Sequence, residues 1–130
     1  MIDTSALARV LVGRTTAEWD DRIGAGLVAL CDITELEVLY SARAAADRER
    51  VKHTLNAHYT WCPTPESIYR RARVIQELLT AKGEHRSAGP VDPLVAAAEE
   101  AELTLLHYDR DFETIARTTG QPVRMIALKD

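Results

Sequence analysis

Short apolar runs alternate with amphipathic segments along this chain, and this alternation restricts the possible folds most strongly. Residues 27–31 form a continuous apolar run of strand length, and such runs are typical of strands buried on both faces of a parallel sheet. Residues 103–107 are also strand-like. Residues 1–3, 61–62 and 123–128 are further strand candidates. Because segments with helical periodicity separate them, the sequence predicts an α/β fold with helices on both faces of a central parallel sheet.

The helix predictions rest on apolar positions spaced three or four residues apart and on residues that begin or end helices. They cover residues 4–11, 15–26, 33–44, 47–59, 66–82, 94–102 and 111–117. We find no repeat or linker in the 130 residues, so we expect a single domain over residues 1–130. The first strand is shorter than the usual five or six residues, which leads us to expect natural residues before Met1.

Composition excludes several classes of protein. Cys31 and Cys62 form no C-x-x-C pair and no leader precedes them, so we expect a reducing cytoplasm. No apolar run reaches the roughly 18 to 20 residues of a membrane span. The net charge of −4 argues mildly against nucleic-acid binding, but acids that converge on cations would be neutralised in the working protein.

Acidic residues gather where ligands bind in parallel sheets, beyond the carboxyl ends of the strands. Asp3 ends the first predicted strand, and Asp109 and Asp111 follow the strand at residues 103–107. Glu37 lies one turn into the helix after residues 27–31, and Asp92 begins the helix before the Asp109 strand. We therefore expect these acids at one edge of the sheet.

Each acid also has an alternative role as a helix cap, because carboxylates accept hydrogen bonds from the free N–H groups of helix N-termini. Asp92 fits an N-cap, and Thr34 with Glu37 fits a capping box. Asp3 and Asp109 each precede a predicted helix. No single acid decides between a cap and a site.

The acids taken together favour a metal site. Carboxylates about 5 Å apart repel by roughly 3 kcal/mol per pair at an effective dielectric near 20, so four of them need a counter-charge. Carboxylates suit Mg²⁺ or Mn²⁺, and His53 and His58 have no spacing for zinc. Phosphate-loop and dinucleotide-binding motifs are absent. The sequence therefore predicts metal-assisted phosphodiester hydrolysis of a nucleic acid.

Four segments carry these acids in a particular order along nearly the whole chain. They are Asp3-Thr4-Ser5-Ala6-Leu7, Glu37-Val38-Leu39-Tyr40-Ser41, Asp92 ahead of Leu94-Val95-Ala96-Ala97, and His107-Tyr108-Asp109-Arg110-Asp111-Phe112. Together they resemble the PIN-domain ribonucleases, in particular the VapC-type toxins of toxin–antitoxin pairs. Glu37 matches better than Glu35, because it directly precedes the matching Val-Leu-Tyr run.

This resemblance implies a PIN-like three-layer fold, with a central parallel sheet flanked by helices. It implies that one or two Mg²⁺ or Mn²⁺ ions are bound by Asp3, Glu37, Asp92 and Asp109. Asp111 would be an auxiliary catalytic acid, and the Ser5 hydroxyl would support the site by hydrogen bonding.

The resemblance also implies an endoribonuclease that hydrolyses RNA, is held inactive by a cognate antitoxin protein and forms a homodimer. Two alternatives stay open from the sequence: a PIN-like module that binds RNA or protein without cleaving it, and a DNA-directed nuclease with the same metal site. Basic residues at 43–52 and 70–73 fit solvated helix faces. The alternative is that some of them contact phosphate, along with Arg9, His85 and Arg86 near the acids.

Overall fold

The structure is a computed structural model that describes residues 1–130, and it has the expected α/β order of elements. The helices are α1 Thr4–Leu11, α2 Ala17–Gly24, α3 Asp32–Tyr40, α4 Ala45–His58, α5 Ile68–Ala81, α6 Val91–Ala96 and α7 Asp111–Thr119. The strands are β1 Ala29–Leu30, β2 Thr60–Trp61, β3 Leu105–His107 and β4 Val123–Met125, and short 3-10 helices cover His85–Ser87 and Ala97–Ala101. None of the helices combines the length and apolarity that crossing a bilayer requires.

The first three residues join two pairs of parallel strands into one sheet. β1 pairs with β2, and β3 pairs with β4. Between the pairs, the Ile2 N–H donates to the Ala29 carbonyl at 2.9 Å, and the Asp3 N–H donates to the Leu106 carbonyl at 2.9 Å. The chain start therefore occupies the centre of the sheet, where its neighbours on both sides fix the position of Asp3.

Two apolar clusters cover the two faces of the sheet. Leu106 belongs to a cluster with Ile2 and residues of α1 to α4, whereas Leu105 belongs to a cluster with Phe112 and residues of α5, α6 and α7. Successive residues of a strand point to opposite faces, so this division places one helix layer on each side. The prediction of three layers is confirmed.

Some element boundaries differ from those that the sequence indicates. The helix predicted over residues 33–44 ends at Tyr40, because the Ser41 hydroxyl and N–H both donate to the Val38 carbonyl, at 2.7 and 3.1 Å. That carbonyl would accept the next helical N–H in a longer helix. The strand predicted over residues 27–31 is shortened to β1, and Leu27 is 74% exposed.

Candidate metal centre

Three aspartates meet at the carboxyl edge of β3. One carboxylate oxygen from each of Asp92, Asp109 and Asp111 lies within 4.8 Å of the others. Asp109 follows β3, Asp111 is the first residue of α7, and Asp92 lies in the first turn of α6. Asp109 Oδ1 accepts the Asp111 N–H at 3.0 Å, which holds the strand-to-helix turn in shape. The topology thus brings together residues that are far apart in the sequence.

Asp3 lies beside this group and is itself held by Ser5. Asp3 is 5% exposed, and its Oδ2 accepts from the Ser5 hydroxyl at 2.6 Å and from the Ser5 N–H at 2.9 Å. The Ser5 oxygen accepts in turn from the Tyr108 N–H at 2.9 Å. Ser5 therefore ties the N-terminus of α1 to the turn that carries Asp109.

Glu37 reaches from α3 towards the start of α1. Its Oε2 accepts from the Thr4 hydroxyl at 2.8 Å, while its Oε1 is buried without a hydrogen-bond partner. Glu37 is outside the group of three aspartates, although Thr4 is the residue next to Asp3. A buried carboxylate oxygen without a donor is costly, so this atom is suited to a ligand.

A common arrangement links four of the acids. In Asp3, Glu37, Asp92 and Asp109, one carboxylate oxygen accepts hydrogen bonding from the protein and the other accepts none. The bonded oxygen fixes the side-chain rotamer, so the second oxygen is held in place and stays available to a ligand. Such support by hydrogen bonding is usual for carboxylates that bind metal ions.

The electrostatics of the group are unfavourable without a cation. Burial, and then the charges of Asp3, Asp109 and Asp111, raise the pKa of Asp92 to about 7, although a hydrogen bond from the Gly89 N–H opposes this. Burial and the Asp109 charge also raise the pKa of Asp111. No Lys or Arg forms an ion pair with any of these acids. A divalent cation would provide the counter-charge.

His107 supports the site, although the pattern of acids in the sequence does not include it. His107 is 1% exposed at the end of β3, and its Nδ1 accepts from the Asp109 N–H at 3.2 Å. Burial lowers its pKa, so the ring is neutral and keeps this acceptor at neutral pH. A histidine at the end of an apolar strand, two residues before an acid, is the sequence feature that indicates this role.

The capping alternatives have mixed outcomes. Asp3 does cap α1, but Asp92 is not an N-cap, because α6 begins at Val91 and Asp92 lies within its first turn. The predicted capping box is also wrong. Thr34 lies inside α3 and donates to the Ile2 carbonyl at 3.4 Å, and Glu37 is bonded to Thr4 instead.

This is an α/β domain whose carboxylates lie without a cationic partner at the carboxyl edge of the sheet, an arrangement that can bind a divalent cation. Residues 1–118 match the PIN domain family. The chain is 37% identical over 127 residues to Ribonuclease VapC21 of Mycobacterium tuberculosis, and the matched region covers 97% of this chain and 92% of the relative. It is 42% identical over 124 residues to Ribonuclease VapC2 of the same species, with 93% and 87% covered. This chain belongs to the PIN domain family.

Solved structures agree with this fold. DNA-bound VapBC from Salmonella typhimurium matches with a TM-score of 0.78 at 19% identity, over 96% of each chain. VapBC2 from Rickettsia felis, bound to a DNA fragment from its promoter, matches with a TM-score of 0.76 at 16% identity, also over 96% of each chain. The three-layer arrangement is therefore that of the PIN-like fold.

Proposed function

We propose that this chain is a metal-dependent endoribonuclease and the toxin of a toxin–antitoxin pair. The observation that carries the proposal is the group formed by Asp92, Asp109 and Asp111, which has no cationic partner. The relatives that cover nearly the whole chain are ribonucleases by name, which supports RNA as the substrate.

The donor set fits Mg²⁺ or Mn²⁺, since every candidate ligand is a carboxylate oxygen. The residues that would hold the ion are Asp3, Glu37, Asp92 and Asp109, with Asp111 as the auxiliary acid. A bound divalent ion of this kind lowers the pKa of a coordinated water and stabilises negative charge on a phosphate. The free Oε1 of Glu37 and the crowding that raises the pKa of Asp92 both support this fit.

Neighbouring residues hold the carboxylates of the site in position before a ligand binds. Ser5 orients Asp3, and Thr4 orients Glu37, so both carboxylates are set before any ligand arrives. The neutral His107 ring holds the backbone N–H of Asp109. Preorganised groups of this kind need no rearrangement as charge develops on the phosphate during the reaction.

A toxin of this kind would have a protein partner. We infer that a cognate antitoxin protein binds this chain, since two structural neighbours are VapBC assemblies bound to DNA. A homodimer and a cytoplasmic location stay predictions from the sequence.

The proposal is tested with purified, antitoxin-free protein and total RNA, with and without Mg²⁺ or Mn²⁺. Asp92→Asn removes one candidate ligand. Asp21→Asn is the matched control, because Asp21 is exposed on α2 and its side chain makes no hydrogen bond. We expect metal-dependent cleavage by the wild type and by Asp21→Asn, and none by Asp92→Asn. Wild-type protein that binds RNA but leaves it intact with either metal would instead favour a non-cleaving module.

A further inference from the structure

A cleft of the opposite charge adjoins the acidic centre on the side of α1. It has a volume of about 350 Å³, and its lining residues are Ala8, Arg9, Val12, Arg14, Tyr108 and Leu128. Neither Arg9 nor Arg14 forms an ion pair with an acid, whereas Arg22, Arg71 and Arg124 do. The cleft therefore contains two cations without counter-charges in a chain whose net charge is −4.

Arg9 is fixed in this cleft by two contacts. Its Nη1 donates to the Ser5 carbonyl at 3.0 Å, and its guanidinium carbon lies 4.6 Å from the centre of the Tyr108 ring. Guanidinium groups have five N–H donors, so the bond to Ser5 leaves most of them available. A guanidinium stacked on an aromatic ring is already positioned to bind a phosphate.

Ser5 and Tyr108 connect the cleft to the acidic centre. The Ser5 hydroxyl donates to Asp3 and accepts from the Tyr108 N–H, while the Ser5 carbonyl accepts from Arg9. Tyr108 directly precedes Asp109 in the chain. A strand of RNA that places one phosphate at the acids would therefore reach this cleft with a neighbouring nucleotide.

A third cation lies at the far side of the cleft. Lys129 Nζ donates to the Gly13 carbonyl at 3.3 Å, and the Lys129 N–H donates to the Arg14 carbonyl at 2.8 Å. The positive charge thus extends along the end of α1, away from the acids.

We propose that this cleft, the arginine cleft, is a nucleotide subsite that positions single-stranded RNA for cleavage at the acidic centre. Arg9 and Arg14 bind a phosphate next to the one that is cleaved, and the nucleotide's base lies against Tyr108 and the apolar side chains of Val12 and Leu128. The inference rests on the proposed nuclease function and adds the residues that position the substrate. Aromatic rings and guanidinium groups are the side chains on which unpaired bases stack.

The combination of groups favours a nucleotide over an acidic protein segment. Carboxylates would be satisfied by the arginines alone, whereas the exposed Tyr108 ring and the apolar wall suit a planar base. Tyr108 lines the cleft and directly precedes Asp109, so the cleft lies beside the acids.

The test measures RNA binding separately from cleavage. A fluorescein-labelled single-stranded RNA decamer is titrated with full-length Asp92→Asn protein in Mg²⁺, and the Kd is read from anisotropy at several salt concentrations. Adding Arg14→Gln should weaken binding about 3- to 10-fold and reduce the salt slope by about 0.7, which corresponds to one lost phosphate contact on a single strand. Arg14 is the decisive position, because its side chain makes no hydrogen bond that holds the acids.

Further variants separate ring stacking from folding. Tyr108→Leu should weaken binding at least about 5-fold, whereas Tyr108→Phe, which keeps the ring face, should bind as the parent does. Arg117→Gln is the control for loss of one positive charge, because Arg117 is exposed at the opposite end of α7 from Asp111. In the cleaving protein, Arg14→Gln should raise KM with little change in kcat.

The outcomes distinguish this inference from the proposed function. If the wild type cleaves RNA but Arg14→Gln and Tyr108→Leu bind it as Arg117→Gln does, the arginine cleft is not a subsite and only this inference fails. If the wild type neither binds nor cleaves RNA, the proposed function fails as well. Displacement of the labelled RNA by decaglutamate as readily as by unlabelled RNA would overturn the inference in favour of an acidic protein segment.

Discussion

Carboxylates in two regions of the molecule differ in their partners. In the Glu18 cluster, formed by Glu18 and Arg22 of α2 with Arg124 of β4, Glu18 Oε1 accepts from Arg22 at 3.0 Å and lies 3.5 Å from Arg124, and both guanidinium groups lie over the Trp19 ring, at 5.2 and 4.9 Å. At the carboxyl edge of β3, the three grouped aspartates have no Lys or Arg partner. The protein therefore neutralises the charge of Glu18 but not that of the aspartates.

This difference separates a structural use of acids from a functional one. The Glu18 pairs are half exposed, so each contributes about 0.2–1 kcal/mol at most. The grouped aspartates destabilise the metal-free fold, since burial and mutual repulsion raise the pKa of Asp92. A protein retains such an unfavourable cluster where function requires it.

The largest expected effect is a difference in activity between variants of the two regions. Asp109→Asn should reduce metal-dependent RNA cleavage at least about 100-fold, more than is typical when a residue merely orients a metal ligand. Glu18→Gln, in the Glu18 cluster, should keep wild-type cleavage. Comparable losses in a gel-based cleavage assay for both variants would remove the distinction between the two regions.

The next largest effect should come from the hydrogen bonds that Ser5 and Thr4 donate to Asp3 and Glu37. Ser5→Ala removes the hydroxyl donor to Asp3 and the acceptor for the Tyr108 N–H, so we expect a 10- to 100-fold weaker metal affinity. Thr4→Val leaves both Glu37 oxygens without a donor and should weaken metal affinity by a smaller factor. Titration with Mn²⁺ measures both affinities, and affinities equal to that of the wild type would rule out a supporting role.

The metal-free protein should gain stability from Asp92 as the pH falls. The folded pKa is raised to about 7 from an ordinary 3.8, so the folded state binds the proton more tightly than the unfolded state. Ionised Asp92 therefore destabilises the folded state fully above pH 7, and this destabilisation is relieved as the pH falls towards 4. Urea unfolding in EDTA at pH 7.5 and pH 5 should show that Asp92→Asn is more stable than the wild type at pH 7.5, with a smaller advantage at pH 5.

His107 changes the stability of both the wild type and Asp92→Asn with pH in the opposite direction. Its lowered pKa means that the folded state favours the neutral ring, so stability is lost as the pH falls below about 6.5. The difference between wild type and Asp92→Asn cancels this contribution. An advantage of the variant that did not change with pH would contradict the assignment to Asp92.

The smallest expected effect concerns the Glu18 cluster itself. Glu18→Gln removes the negative charge that pairs with two half-exposed arginines and should lower the free energy of unfolding by no more than about 1 kcal/mol. A larger loss in urea unfolding would mean that the pairs over Trp19 are part of the core and not of a solvated surface.

The sequence predicts the elements best where local chemistry decides them. The bounds of α1 are as predicted, because Asp3 caps a helix whose apolar residues face one side. Strand lengths are not predictable from apolarity, since Leu27 belongs to an apolar run but is exposed. The end of α3 is also not predictable, because the alanine-rich sequence after Ser41 favours a helix and gives no sign of the Ser41 hydrogen bond to Val38.

The candidate site is predictable as a set of acids but not as a geometry. The sequence pattern indicates one edge of the sheet, and the packing of α6 against α7 brings Asp92 to Asp109 and Asp111. The Thr4 bond to Glu37 crosses 33 positions of sequence and depends on how α1 packs on α3. Such long-range contacts are set by tertiary packing, so spacing alone does not reveal them.

Calorimetric titration of the metal-free protein with Mn²⁺ measures directly whether the acids at the carboxyl edge bind a divalent cation. We expect saturable binding by the wild type and by Glu18→Gln, and loss of binding in Asp109→Asn. If the wild type bound no Mn²⁺, or if Asp109→Asn bound it equally well, these acids would not form a metal site.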